Sequence, residues 1–128
     1  MNPATLQSVP LFGDVPRRFR SDVVRWADEL DAPAGTEIIR QGEYAQEFFV
    51  IVEGEADVIK DGERIARLEA GQFFGEVGLL GDNWRTASVV AGTPMRLLVL
   101  APREFSSLLL VAPSVADQVR ETARRRVS

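Results

Sequence analysis

The hydrophobic and polar positions divide the chain into three segments with different periodicities. Residues 1–30 carry apolar positions at helical spacing, and residues 31–101 carry short apolar runs separated by turn residues. Residues 102–128 return to helical spacing. The pattern therefore predicts one mainly β domain over residues 1–128, with helices on either side of its strands.

In the first segment the pattern predicts a helix that ends near Leu30. Asp14 is its predicted N-cap, and Pro16 suits the first turn because a proline there loses no hydrogen bond. Leu11 and Phe12 precede the cap and are expected to pack back onto the core. The apolar stripe of this helix consists of Phe19, Val23, Trp26, Ala27 and Leu30.

The middle segment has the even strand spacing that is typical of an antiparallel barrel or jelly roll. Asp61-Gly62 predicts a type I′ hairpin, because both central residues of that turn need a positive φ. The predicted strands are Glu37–Arg40, Phe48–Val52, Ala56–Lys60, Arg64–Leu68, Thr86–Ala91 and Arg96–Leu100.

The last segment predicts two helices. Pro102 begins the first, which Pro113 ends, and Ser114 is the predicted N-cap of a second helix over Val115–Arg126. The run Arg124–Arg126 is interpreted as a solvated helix end, where cations suit the helix dipole.

Composition narrows the classes of function. The 128 residues include no cysteine and no histidine, which excludes disulfides, the usual zinc sites and catalysis by Ser-His-Asp or Cys-His groups. A net charge of −4 argues against a domain that grips nucleic-acid phosphates. No apolar run approaches the roughly 18 residues of a membrane span, and the N-terminus does not resemble a signal peptide. We therefore expect a protein that is not an enzyme, holds no metal and lies by default in the cytoplasm.

An irregular glycine-rich stretch from Gly75 to Arg85 interrupts the strands and is the candidate site. Gly75 lets the backbone approach a ligand closely, and successive amides can form a concave anion nest. Arg85 supplies a planar, permanently charged donor fork for phosphate oxygens, and Glu76 supplies the acceptors that sugar hydroxyls need. Together these groups describe a site for a phosphorylated sugar.

The stretch from Phe74 to Val89 resembles the phosphate-binding cassette of the cyclic nucleotide-binding domain family. That family includes the bacterial cAMP receptor protein, protein kinase A regulatory subunits and cyclic-nucleotide-gated channels. The resemblance implies a jelly-roll barrel over residues 31–101, preceded by an N-terminal helix and followed by C-terminal hinge and lid helices. Further matching segments are Leu11-Phe12, Pro33–Thr36, Arg40–Glu43, Phe48–Gly54 and Gly71–Glu76.

The resemblance also implies a role for each residue of the cassette. It implies that Glu76 accepts a hydrogen bond from the ribose 2′-hydroxyl and that Arg85 pairs with the cyclic phosphate of cAMP or cGMP. The hydroxyl of Thr86 permits cGMP without selecting it. No cofactor is implied beyond this ligand. The predicted ligand-binding set is Gly75, Glu76, Val77, Gly78, Leu79, Arg85, Thr86 and Ala87.

Two positions depart from the family pattern. Trp84 stands where proline is common. We interpret it as a packing or surface aromatic residue rather than as one that stacks on the base. Gly78 stands where eukaryotic members have alanine, and we expect no harm from it. Arg120 and Arg124 are minor candidates for covering the purine.

The leading interpretation is a sensor that binds cAMP or cGMP and moves its C-terminal helices. Two alternatives stay open: a nucleotide-independent interaction module of the same fold, and a regulatory fragment of a larger effector protein. The absence of histidine disfavours a metal-dependent cupin. We also expect no DNA-binding motif, because the sequence reaches only to the lid helix and its net charge is −4. A protein effector bound through the C-terminal helices and a homodimer are both compatible with the sequence.

Overall fold

Two four-stranded antiparallel sheets form the centre of the computed structural model, which describes residues 1–81 and 84–127. The first sheet has the strand order β1-β8-β3-β6 and the second has the order β2-β7-β4-β5. The predicted jelly roll is therefore confirmed. The strands are β1 (Asp28–Ala32), β2 (Glu37–Ile39), β3 (Phe48–Glu53), β4 (Ala56–Lys60), β5 (Glu63–Leu68), β6 (Phe73–Phe74), β7 (Ser88–Ala91) and β8 (Met95–Leu100).

Helices flank the barrel at both ends of the chain, as predicted, and a short one interrupts the strands. Two 3-10 turns, Pro10–Phe12 and Arg17–Phe19, accompany the N-terminal helices. Asp82, Asn83 and Ser128, which belong to the predicted cassette and C-terminal segment, lie outside the described residues. The α-helices are α1 (Pro3–Ser8), α2 (Arg20–Trp26), α3 (Glu76–Leu80), α4 (Pro102–Val111) and α5 (Pro113–Val127).

Strand β3, at the centre of the first sheet, is buried on both faces. Phe48 and Val50 of β3 pack against the helices, whereas Phe49 and Ile51 point between the two sheets. Because adjacent residues of a strand face opposite sides, both sets must be apolar, which explains the unbroken apolar run in β3. The helices thus form one core with the outer face of this sheet, and the barrel interior forms a second.

The hairpin between β4 and β5 forms as predicted. Asp61 has φ 52° and Gly62 has φ 83°, which are the two positive values that a type I′ turn requires. The side chain of Gln41 donates a hydrogen bond to Asp61 Oδ1 and accepts one from the Asp61 amide, at 2.9 and 3.0 Å. Gln41 therefore ties the tip of this hairpin to the loop after β2.

The prediction of a helix reaching Leu30 was wrong. The helix ends at Trp26, and Asp28–Ala32 pair with Met95–Val99 of β8 as an edge strand. Leu30 is 44% exposed and so does not continue the apolar stripe. Pairing with β8 satisfies the backbone of this segment in the sheet, and this long-range partner overrides the local helical pattern.

Both predicted N-caps were also wrong. Pro16 precedes the 3-10 turn at Arg17, without any side-chain cap. Asp14 Oδ2 instead accepts a hydrogen bond from Ser114 Oγ at 3.1 Å. Ser114 lies inside α5, which begins one residue earlier at Pro113. These two polar side chains therefore bond to each other across the helical layer. Leu11 and Phe12 are buried against the core, as expected.

Candidate functional site

Strand β6 leads through Gly75 into helix α3, and this turn shapes the site. Gly75 has φ 93°, a left-handed conformation that residues with a side chain rarely adopt. A Cβ atom placed on it would lie 2.8 Å from the carbonyl oxygen of Glu47 and 3.1 Å from Arg85 Nη1. Only glycine therefore lets the chain turn this closely past the arginine.

Arg85 is a buried cation whose side chain is fixed by two carbonyls. Its Nη1 donates to the Gly75 carbonyl at 2.8 Å, and its Nη2 donates to the Glu47 carbonyl at 2.6 Å. The residue is 8% exposed, and burial lowers the pKa of its guanidinium, although Glu47 and Glu76 act in the opposite direction. No carboxylate of residues 1–81 or 84–127 forms a salt bridge with it. A buried cation without such a partner favours an anion at this position.

Glu76 is the other buried charged residue of the described chain, at 1% exposed. Its Oε2 accepts a hydrogen bond from the Val77 amide at 3.1 Å. Its Oε1 accepts one from Arg126 Nη1, which also donates to the Phe73 carbonyl at 2.8 Å. Burial raises the pKa of the Glu76 carboxyl, and Arg126 and the Val77 amide oppose that rise. The site therefore holds a cation and a carboxylate in fixed positions.

The raised pKa of Glu76 predicts how stability changes with pH. The folded protein holds the Glu76 proton more tightly than the unfolded chain does, so this contribution is present at low pH. It is lost as pH rises through the folded-state pKa. Relative to Glu76→Gln, which does not titrate, wild type should therefore lose free energy of unfolding as the pH rises above the ordinary glutamate pKa of about 4.3. Urea denaturation of both proteins at a series of pH values measures the difference, and a wild type that gains on the variant would contradict the expectation.

A cavity of about 350 Å³ opens beside these groups. Its volume lies within the range that small-molecule sites occupy. Seven of the eight predicted ligand-binding residues line it: Gly75, Glu76, Val77, Gly78, Arg85, Thr86 and Ala87. The predicted strand at Thr86 begins only at Ser88, so Thr86 and Ala87 form a bend that borders the cavity. Leu79 lies apart from the lining and packs against the helical core.

The remaining walls of the cavity come from distant parts of the chain. The β4–β5 hairpin contributes a largely apolar wall of Val58, Lys60, Ile65, Ala66 and Leu68. Helix α5 contributes Arg125, which is exposed, and Arg126, whose guanidinium pairs with the buried Glu76. The interpretation of this run as a solvated helix end was therefore wrong for Arg126. Arg124 instead pairs with Glu121 at 3.4 Å and, like Arg120, does not line the cavity.

A signal for Arg126 is present in the sequence. Val119 and Ala123 are buried, and Arg126 follows Ala123 by three residues. Residues three and four apart share a face of a helix. Arg126 therefore continues the packed face of α5, which distinguishes it from Arg124.

Two further cassette residues have defined places. Trp84 is 52% exposed and lies edge-on to Tyr44, with ring centroids 5.4 Å apart, outside the cavity lining. A Cβ atom on Gly78 would lie 2.9 Å from the Cβ of Ala45 and 3.2 Å from the Trp84 carbonyl oxygen. Glycine at position 78 therefore fits a crowded turn of α3 where alanine would force a shift.

Residues 1–81 and 84–127 contain no group of three or more carboxylate, histidine or cysteine side chains placed to hold a metal ion. Within that described part, none of the helices combines the length and apolar character that a membrane crossing requires.

Comparison with known proteins decides the family. The family model for the cyclic nucleotide-binding domain matches residues 29–111, about two thirds of the chain. The chain belongs to the cyclic nucleotide-binding domain family. Its jelly roll is the fold that the sequence resemblance predicted.

Relatives of this cyclic nucleotide-binding domain are channels and kinase regulatory subunits. The domain is 36% identical over 119 residues to a cyclic nucleotide-gated potassium channel of Rhizobium etli, covering 93% of this chain and 33% of the channel. It is 34% identical over 111 residues to a cAMP-dependent protein kinase regulatory subunit of Aspergillus niger, covering 85% of this chain and 27% of that protein. The chain thus spans about a third or less of the length of these relatives.

A solved structure gives the same picture of the fold. The regulatory domain of Toxoplasma gondii PKA, determined with cAMP, superposes with a TM-score of 0.82 at 26% identity. The match covers 96% of this chain and 48% of that one.

Proposed function

We propose that this domain is a sensor whose cavity binds a cyclic nucleotide, cAMP or cGMP. The observation that carries the proposal is Arg85, a buried guanidinium that borders the cavity and has only carbonyl partners among the described residues. A singly charged cyclic phosphate supplies the anion that such a group favours. Gly78, Thr86 and Ala87 line the same cavity, and their backbone amides are the proposed remainder of the phosphate cradle.

The other walls suit the rest of a nucleotide. Glu76 is the proposed acceptor for the ribose 2′-hydroxyl, because its carboxylate borders the cavity and is held in place by two donors. The apolar wall of the β4–β5 hairpin provides a surface for a purine ring. Both adenine and guanine satisfy these features, so the proposal includes both nucleotides.

We further propose that binding moves the C-terminal helices. Arg126 of α5 contacts Glu76 and the Phe73 carbonyl, so the cassette and the last helix are in direct contact. A ligand that changes the position of Glu76 therefore acts on α5 directly. The ligand can shift the helix only by its difference in affinity for the two arrangements.

We also propose a regulatory role for this domain, based on the proteins to which it is similar. In this proposal the domain regulates a separate or attached effector, in the cytoplasm, through its C-terminal helices. The similar proteins are a nucleotide-gated channel and a kinase regulatory subunit, which supports a regulatory rather than an enzymatic role. A homodimer through α5 is one form that this regulation can take.

Calorimetric titration of the whole chain tests the proposal. We expect saturable one-to-one binding of cAMP, cGMP or both, and much weaker binding of 5′-AMP, whose open phosphate carries a second charge and is not held against the ribose. Absence of binding by both cyclic nucleotides would overturn the proposal and favour the nucleotide-independent interaction module.

A further inference from the structure

Arg126 lies where α5 meets the cassette, and three contacts fix its guanidinium. Its Nη1 donates to Glu76 Oε1 and to the Phe73 carbonyl, and its guanidinium carbon lies 5.4 Å from the centroid of the Phe73 ring. The side chain is 28% exposed, and Arg126 is one of the residues that line the cavity. These contacts give the arginine one defined orientation beside the carboxylate.

We propose that Arg126 is a positioning residue, which orients the Glu76 carboxylate so that it accepts the 2′-hydroxyl of a bound ribose. This inference rests on the proposed function, in which Glu76 contacts the ribose. Arg126 acts through Glu76 and needs no contact of its own with the nucleotide.

The hydrogen-bonding capacity of Glu76 supports orientation rather than competition. An ionised carboxylate has about four lone-pair sites on its two oxygens. The Val77 amide uses one site on Oε2, and Arg126 uses one on Oε1. About two sites therefore remain for a ligand hydroxyl while both protein donors stay in place.

The charge balance points in the same direction. Glu76 is nearly inaccessible to solvent, and an isolated carboxylate is costly to bury. Arg126 supplies the compensating cation on one side, and Arg85 lies on the same cavity. Without Arg126 the carboxylate would lose the donor that sets its angle and part of the charge that keeps it a strong acceptor.

The test combines two ligands with four proteins. Titration calorimetry gives the affinities of wild type, Arg126→Gln, Arg126→Lys and Arg124→Gln for cAMP and for 2′-deoxy-cAMP. Arg124 is the matched control, because it lies on the same helix, pairs with Glu121 and does not line the cavity. The measured quantity is the ratio of the two affinities, which a general loss of folded protein does not change.

We expect wild type to prefer cAMP over the deoxy ligand by about 10- to 100-fold, the value of a hydrogen bond to a charged acceptor. Arg126→Gln should reduce this preference to about threefold or less, mainly by weakening cAMP, because the carboxylate loses its fixed orientation. Arg126→Lys should recover part of it, and Arg124→Gln should leave both affinities unchanged.

Three results would overturn the inference, and a fourth would overturn the proposed function. An unchanged preference in Arg126→Gln would show that the arginine is only structural, and tighter cAMP binding would show that it competes with the ribose. Equal wild-type affinities for the two ligands would show that Glu76 does not bind the ribose 2′-hydroxyl, although the cavity still binds the nucleotide. Failure of wild type to bind both cAMP and cGMP would overturn the proposed function itself. If wild type binds only cGMP, the same four proteins are compared with cGMP and 2′-deoxy-cGMP.

Discussion

Replacing Arg85 with alanine should lower the affinity for cAMP and cGMP by about 30-fold to several thousandfold. This range corresponds to the roughly 2–5 kcal/mol that truncating one partner of a buried charge pair costs. The guanidinium is buried and fixed by the carbonyls of Gly75 and Glu47, so it needs no rearrangement to meet a phosphate. Its removal also leaves those two carbonyls without their donor.

Calorimetric titration of the variant measures this loss. Arg40→Ala is the matched control, because Arg40 is an exposed arginine paired with Glu37 at 2.7 Å and lies outside the cavity lining. It should bind as wild type does. Arg85→Lys keeps the charge but lacks the donor fork, and it should bind with intermediate affinity. An Arg85→Ala protein that is folded by circular dichroism and binds with wild-type affinity would refute the assignment of the phosphate site.

Replacing Gly75 with alanine should destabilise the protein strongly. The left-handed φ alone costs about 1–2 kcal/mol for a residue with a Cβ atom. The added carbon would also lie 2.8 Å from the Glu47 carbonyl, a backbone atom that cannot turn aside as a side chain can. Overpacking of this kind adds about 1–3 kcal/mol. We therefore expect a loss of about 2–5 kcal/mol in the free energy of unfolding.

Gly35→Ala separates the two contributions. Gly35 has φ 88°, and its added Cβ atom would meet no atom within 4 Å. Urea denaturation should therefore show a loss of about 1–2 kcal/mol for Gly35→Ala and a clearly larger one for Gly75→Ala. Equal losses would mean that the contacts of the added Cβ atom with Glu47 and Arg85 do not lower the free energy of unfolding. Gly75→Ala should also bind cyclic nucleotides more weakly, because the Cβ atom displaces Arg85 Nη1.

The barrel could be predicted because its signals are local. The Asp61-Gly62 pair determines its turn by backbone preference, and the structure has the two positive φ values expected. The run Phe48–Val52 is apolar at every position because both faces of its strand are buried. Strand β1 could not be predicted in the same way, since residues 28–32 become a strand only by pairing with β8, more than sixty residues later.

In the candidate site, too, the residues that are close in sequence could be predicted, and those that meet only through the fold could not. The cassette residues from Gly75 to Ala87 are contiguous, so one stretch of sequence displays the glycine, the carboxylate and the arginine together. The wall of the β4–β5 hairpin and the arginines of α5 reach the cavity only through the fold. Arg126 is the partial exception, because its spacing from Val119 and Ala123 places it on the packed face of its helix.

In the proposed function a cyclic nucleotide binds in the cavity between the cassette, the β4–β5 hairpin and α5. Amide chemical-shift mapping of the 15N-labelled chain during titration with cAMP, and in parallel with cGMP, tests the location of this site. The largest shifts should fall on the amides of residues 75–78 and 85–87, followed by those of the hairpin and the last turn of α5. Shifts centred elsewhere, such as on the second cavity, which Pro33 and Pro94 line, would contradict binding at the cassette.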